Sequence, residues 1–285
     1  MILLTGAAGK TGRAVMRHLA GRGCAVRAWV RSPAQVDPLK RLGATEVVIA
    51  DLRDPRAALG AVRGVEAIYG ICPNMSVDEE AIGGSLIAAA RSVDARLVYH
   101  SVLLPRVEAM PHHWRKAQVE DALEASGIAW TVLQPAAYMQ NLLQHRESIA
   151  ESGVLPVPYS ESAEVAMVDL EDVAVVAGRV LIESGHEGEK YELCASEIMN
   201  PKGIARVLST YLGSRVVVRE IPRGHWRESA RRSGVSEQAI EDLISMFEYY
   251  ERHGLAGSPD DLERLLTRPP GTLSDFLARE LPTGP

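Results

Sequence analysis

The sequence predicts an α/β protein: a doubly wound parallel sheet followed by a smaller mixed α/β C-terminal region. Three observations lead there. Short apolar or β-branched runs alternate with longer stretches of helical period through the first half of the chain. The runs are nearly apolar on both faces, as strands are when helices cover both sides of a parallel sheet. A glycine-rich turn joins the first run to the first helical stretch.

In chain order, the runs at 1–5, 25–31, 46–50, 67–71, 96–101 and 129–134 read as strands, starting with Met1-Ile2-Leu3-Leu4. Helices are expected between them over 12–22, 33–42, 55–62, 77–92 and 114–126. After about Gly153 the elements become shorter and less regular. Strand-like pieces at 190–194 and 215–221 stand among helical stretches, punctuated by Pro156, Pro158, Gly185, Gly188, Pro222, Gly224, Pro269 and Gly271. This change divides the chain into 1–153 and 154–285, the second region packed on the first. There is no internal repeat or low-complexity tract.

A chain of 285 residues suffices for one large domain, or one with a smaller companion. Apolar residues at 46% and charged residues at 24% describe an ordinary soluble chain. No basic leader precedes the first strand, and no apolar run reaches the ~18 residues of a membrane span, so a cytoplasmic protein without membrane attachment is expected. Cys24, Cys72 and Cys194 lack paired spacing and read as reduced thiols. A net charge of −6 gives no pull toward phosphate polymers, so no nucleic-acid partner is expected.

Thr5-Gly6-Ala7-Ala8-Gly9-Lys10-Thr11-Gly12 sits where strand passes to helix. Small residues there let the backbone approach a pyrophosphate, which the free N–H groups and positive dipole end of the helix attract. The turn therefore points to a Rossmann-type dinucleotide-binding region in 1–153. Where a site for NAD(H) would carry Asp or Glu, the second strand ends at Val30-Arg31-Ser32. An Arg suits a 2′-phosphate, so NADP(H) is expected over NAD(H), the plain alternative being a solvated Arg. Lys10 either shares that phosphate or faces water. Asp51-Leu52, after the third strand, borders an adenine ring or supplies a cap to the helix near Pro55.

With these residues and His112-His113-Trp114-Arg115-Lys116-Ala117-Gln118-Val119-Glu120 in view, the chain resembles the NmrA-like family of atypical short-chain dehydrogenases/reductases. Trp130-Thr131-Val132-Leu133-Gln134-Pro135-Ala136, Tyr138-Met139-Gln140-Asn141, Val168-Asp169 and Asp172-Val173-Ala174 extend the likeness from Met1 to about Ile221. The resemblance implies an NADPH-dependent reductase of quinones, dyes or other unsaturated compounds, or a regulator that binds the dinucleotide without turning it over. It also implies that Pro135 and Ala136 border the nicotinamide. Related short-chain dehydrogenases use a Tyr-x-x-x-Lys pair; Lys116 matches the Lys, but position 112 is His.

On a helix, His112, Lys116 and Glu120 share one face. Lys116 is the candidate for cofactor contact, and His112 for proton supply, its unperturbed pKa of ~6.5 lying near working pH. The plain alternative is a solvated face with a Lys116–Glu120 ion pair. Ser101, at the end of the fifth strand, is the third catalytic candidate, the plain alternative being a loop hydroxyl bonding its own backbone. Ile71, Cys72 and Pro73 should pass near the dinucleotide, because ligands gather at strand C-termini in open sheets; Cys72 reads as a packing residue rather than a nucleophile. Tyr138 and Asn141 are substrate-side candidates, or else core or cap residues; Phe247, Tyr249 and Tyr250 form an aromatic stripe that is core, pocket wall or subunit contact, and Trp226, a further substrate-side candidate, shares that ambiguity. His112 and His113, adjacent on a helix, should diverge, and no metal site is expected.

The function expected is an oxidoreductase passing hydride from NADPH to a quinone, enone or similar acceptor. The alternative is an NADP(H)-binding sensor without turnover. A sugar-nucleotide epimerase shares the fold but keeps the Tyr. The partner expected is a small-molecule acceptor; a homo-oligomer or a protein partner remains open.

Overall fold

The computed structural model describes residues 1–281. The chain opens with β1 (Ile2–Leu4) and continues through α1 (Lys10–Gly21), β2 (Val26–Val30), α2 (Val36–Arg41), β3 (Glu46–Ile49), α3 (Pro55–Ala61), β4 (Ala67–Gly70), α4 (Glu79–Ser92), β5 (Arg96–His100), α5 (Pro111–Glu124) and β6 (Trp130–Pro135). Then come β7 (Ala137–Tyr138), α6 (Arg146–Ser152), β8 (Val154–Val157), β9 (Val165–Val168), α7 (Leu170–Ile182), β10 (Glu189–Leu193), β11 (Ile198–Met199) and α8 (Pro201–Leu212). The last elements are β12 (Val217–Glu220), α9 (Arg223–Arg232), α10 (Glu237–His253), α11 (Asp260–Leu266) and α12 (Leu273–Glu280).

The strands of the main sheet lie in the order β10-β6-β5-β4-β1-β2-β3. Each neighbouring pair from β3 to β6 is parallel. The order reverses between β1 and β4, and that crevice is where open sheets of this kind take their ligands. β1 and β4 are buried along their whole length, which is why they read as continuous apolar runs. The doubly wound α/β fold expected from the sequence is thus the fold observed. No helix among the described residues is long and apolar enough to cross a membrane.

The chain forms two compact units, and they are interleaved rather than divided by one boundary near residue 153. The first takes Met1–Arg106, His112–Pro135 and Leu170–Tyr191; the second takes Val107–Pro111, Ala136–Asp169 and Glu192–Pro285. Leu170–Tyr191 returns to the first unit because α7 is apolar enough to cover its sheet. Nine of its residues are buried, and α1 crosses it so closely that a Cβ on Gly178 would lie 2.4 Å from the His18 ring. Behind it, β10 joins the sheet beside β6.

The first unit has a core of its own built on Leu3, Ile68, Leu86, Leu97, Tyr99 and Val132. In the second unit a separate core gathers Met139, Leu155, Ile204, Leu208, Phe276 and Leu277. Its strands form a small sheet of order β11-β9-β7 and the parallel pair β12-β8.

Candidate functional site

In the glycine-rich turn, the three glycines meet three different constraints. Gly6 sits at φ +57°, a left-handed conformation that L side chains rarely adopt. Gly12 is buried, and a Cβ there would lie 2.3 Å from the Gly6 carbonyl oxygen. Gly9 is exposed at φ −73°, and a Cβ there would meet only the Gly6 oxygen, at 3.3 Å. A side chain at position 9 would therefore press only lightly on the turn itself.

Gly9 is also the N-cap of α1 and supplies no side-chain cap, so the first-turn N–H groups of that helix point out as an anion would need. Lys10 lies at the start of this turn, and partial burial lowers its pKa. Ala8 and Thr11 are half-buried. Beneath the turn, the Thr5 hydroxyl donates to the Ile71 carbonyl at 2.8 Å and accepts from the Ile71 N–H at 2.7 Å. The ends of β1 and β4 are thereby fixed side by side at the reversal of strand order. Cys72 follows, buried, and Pro73 is exposed.

Arg31 is exposed at the end of β2, and its backbone N–H is held by the Gln35 side chain at 3.2 Å. Asp51 does not cap α3; Asp54 does, accepting from Arg56 N–H at 2.9 Å. Asp51 is instead gripped by the Arg53 guanidinium at 2.6 Å. That hydrogen bond, with further help from the charge of Arg31, pulls the Asp51 carboxyl down to about 2. Arg31, Asp51 and Arg53 therefore form one exposed charged corner, with Leu52 half-buried beside it.

Lys116 does not pair with Glu120. Its ammonium lies 2.7 Å from the buried Glu79 carboxylate, donates to the His100 carbonyl at 3.2 Å, and stands 5.3 Å from the Tyr99 ring centre. The Tyr99 hydroxyl donates to the same Glu79 oxygen at 2.5 Å. Burial, then the neighbouring Glu79 charge, raises the Tyr99 hydroxyl and the Cys72 thiol well above their usual range. Cys72 is thus a protonated thiol. Glu79 carries no signal of its own in the sequence; the signal lies in Gly83, one turn along α4. A Cβ on Gly83 would sit 2.6 Å from Val119, so only glycine lets α5 come this close to α4.

Glu120, one turn beyond Lys116, is buried and faces another set of partners. Ser101 donates to it at 2.5 Å, Gln134 at 3.0 Å, and the Lys190 ammonium at 2.9 Å. Ser101 therefore spends its hydroxyl proton on a carboxylate inside the first unit. The two charged residues of one α5 face are tied in opposite directions, to α4 and to β10.

α5 begins earlier than expected, at Pro111, so His112 and His113 both lie in its first turn and both are buried. Their rings do not diverge but meet edge to face, 4.3 Å between centres. His113 Nδ1 bonds the carbonyl of Leu104, itself at φ +52°. His112 Nδ1 and His113 Nε2 have no hydrogen-bond partner among the described residues. Burial, aided by the nearby positive charges, pushes His112 down to about 2, and burial holds His113 at about 4 and His100 at about 3. The expected titration of His112 near neutrality is therefore corrected: the imidazole stays neutral.

These depressed values imply a stability change with pH. Each ring binds a proton in the unfolded chain below about 6.5 but not in the folded one, so stability present above that pH is lost as pH falls toward the folded values. The expected loss is ~1 kcal/mol per ring per pH unit below about 6. Urea midpoints at pH 7.0 and 5.0 check it, and a midpoint that does not fall would contradict it.

Pro135 ends β6 in the first unit, and the remaining expected residues lie in the second. Ala136 is buried, and Tyr138 stands on β7, paired with Val168. Asn141 is exposed. Trp226, on α9, meets Phe247 edge to face at 4.8 Å, and Tyr159 packs near both Phe247 and Tyr250. The aromatic stripe is thus split: Phe247 and Tyr250 are buried, while Tyr249 leans on His253.

The sequence profile of the NmrA-like family matches residues 1–277. The chain belongs to the NmrA-like family. Among proteins similar to this NmrA-like chain is an NAD(P)H azoreductase of Xenophilus azovorans, 28% identical over 282 residues, covering 97% of this chain and 96% of the relative. Another is a (4-alkanoyl-5-oxo-2,5-dihydrofuran-3-yl)methyl phosphate reductase of Streptomyces griseus, 34% identical over 214 residues, covering 75% of this chain and 74% of the relative. An NADPH-dependent quinone oxidoreductase of Escherichia coli, crystallised with NADPH, superposes with a TM-score of 0.84 at 26% identity, covering 98% of this chain and 99% of that one. These relatives are oxidoreductases.

Proposed function

We propose that this NmrA-like protein is an NADPH-dependent reductase that passes hydride to a quinone, enone or similar unsaturated acceptor. One observation carries the choice of acceptor: the position a ketone reductase of the short-chain class fills with Tyr holds a buried, neutral His112, and the adjacent Lys116 has its charge met by Glu79. No strong acid is poised there. Acceptors that spread the incoming negative charge over a conjugated system need none, and the relatives, an azoreductase and a quinone oxidoreductase among them, support the same class.

NADPH, when bound, supplies the hydride. The exposed Gly9 and the uncapped start of α1 fit its pyrophosphate, with Gly6, Ala8, Lys10, Thr11 and Gly12 around it. Arg31 would hold the 2′-phosphate, Asp51 and Leu52 the adenine side, and Ile71, Cys72, Pro73, Lys116, Pro135 and Ala136 the rest. His112 would orient the acceptor through a neutral imidazole N–H, with Ser101 acting only through Glu120. Tyr138, Asn141 and Trp226 would serve the substrate side.

The test is loss of reduced-nicotinamide absorbance with a panel of quinones, enones and azo dyes. Turnover with a conjugated acceptor and none with simple ketones is expected. His112→Phe should lower kcat by up to about 100-fold without adding or removing a pH break between 5 and 8, since His112 does not titrate there. Tight NADPH binding with no turnover on any acceptor would favour the sensor reading instead.

Arg31→Glu is expected to turn preference from NADP(H) toward NAD(H). Losing a charge-assisted contact to the 2′-phosphate should cost ~1.5–3 kcal/mol, and the new carboxylate would accept ribose hydroxyls. Calorimetry with both cofactors measures this, and unchanged affinities would leave Arg31 a surface residue.

A further inference from the structure

Glu79 is buried to 3% exposure, a costly place for a carboxylate. Its partners are the Lys116 ammonium and the Tyr99 hydroxyl, both on one oxygen, with the Cys72 thiol as a further donor. Burying an ion pair gains little over apolar packing, so such a pair calls for another reason. The surroundings are arranged for it. Glu79 occupies the first turn of α4, where the helix dipole favours a negative charge, and Gly83 removes the side chain that would keep α5 away. Lys116 spends two of its three N–H groups on Glu79 and the His100 carbonyl, and the third has no partner among the described residues.

We propose that Glu79 is a positioning residue that sets the balance between oxidised and reduced dinucleotide, by pinning Lys116 and cancelling its charge. The inference rests on the reading of Lys116 as a cofactor contact. An oxidised nicotinamide ring carries a positive charge that the reduced ring lacks. A bare ammonium beside it would penalise the oxidised form alone, whereas a paired one treats the two forms nearly alike. Glu79 thus lets Lys116 donate its remaining N–H to the cofactor without repelling the product of hydride transfer.

The experiment is a binding cycle on the full chain, titrating NADP⁺ and NADPH separately by calorimetry. Glu79→Gln keeps the size and one acceptor oxygen but removes the charge. The ratio of the NADP⁺ to the NADPH dissociation constant is expected to rise about tenfold. Glu79→Asp should keep the ratio near that of the parent, and the pair Glu79→Gln with Lys116→Met should restore it, because both charges are then gone. A structural role alone would weaken both forms equally; that result, or an unchanged ratio, overturns the proposal. Should Glu79→Gln fail to fold, the Asp and double variants carry the test, and a raised ratio in the double variant overturns it. Lys116→Met alone separates the two layers. If it alters neither affinity, the cofactor reading of Lys116 falls and takes the proposal with it; if it weakens binding while Glu79→Gln leaves the ratio unmoved, only the role of Glu79 falls.

Discussion

Glu120→Ala is expected to cost about 3–5 kcal/mol, because it leaves the Lys190 ammonium without its buried partner and strands Ser101 and Gln134 as donors. Glu124, 2.6 Å from Lys190 and half-exposed, recovers part of the ion pair but cannot reach into the space Glu120 fills. Chemical denaturation followed by fluorescence of Trp29 and Trp130, both in the first unit, measures the loss. A change below about 1 kcal/mol would show that the network holds nothing. Glu120→Gln should be milder, since an amide oxygen still accepts from Ser101.

Gly9→Val is expected to abolish dinucleotide binding, by 100-fold or more, while the protein stays folded. The turn backbone tolerates the substitution: φ is −73°, and the new Cβ approaches only the Gly6 oxygen. The branched side chain would stand over the first-turn N–H groups of α1, where the pyrophosphate needs to come. Gly12→Val, by contrast, should fail to fold, because a Cβ there collides with Gly6 and Ala7. Calorimetry with NADPH, beside a thermal melt, distinguishes the two. A Gly9→Val protein that binds as the parent does would remove the turn from the cofactor site.

The first half of the fold was legible because its signals are local. Strand and helix periods from β1 to β6 repeat in order, and the turn at Gly6, Gly9 and Gly12 announces its own geometry. What stayed hidden depends on distant segments meeting. β10 looked like one more short strand, and nothing near residue 190 says that it extends the main sheet beside β6. Glu79 lies in a stretch that reads simply as helix, and only the approach of α5 over Gly83 brings the Lys116 ammonium to its carboxylate. His112 is legible as a residue four before Lys116 on one helix face, but not as a buried one. Its imidazole stays neutral because it is buried in the first turn of α5, which starts at Pro111, three residues earlier than the period suggests.

The interleaving of the two units bears on how such a protein can be shortened or shuffled. The chain passes from one unit to the other at 106/107, 111/112, 135/136, 169/170 and 191/192. A fragment ending near residue 153 would hold the whole glycine-rich turn yet lack α7, which covers α1, and β10, which borders β6. It would expose apolar surface and an open strand edge, and should aggregate rather than bind nucleotide. Exchange of one unit between related chains by a single crossover in the gene would meet the same obstacle. Swaps that succeed would need to carry 107–111, 136–169 and 192–285 together on an unchanged scaffold.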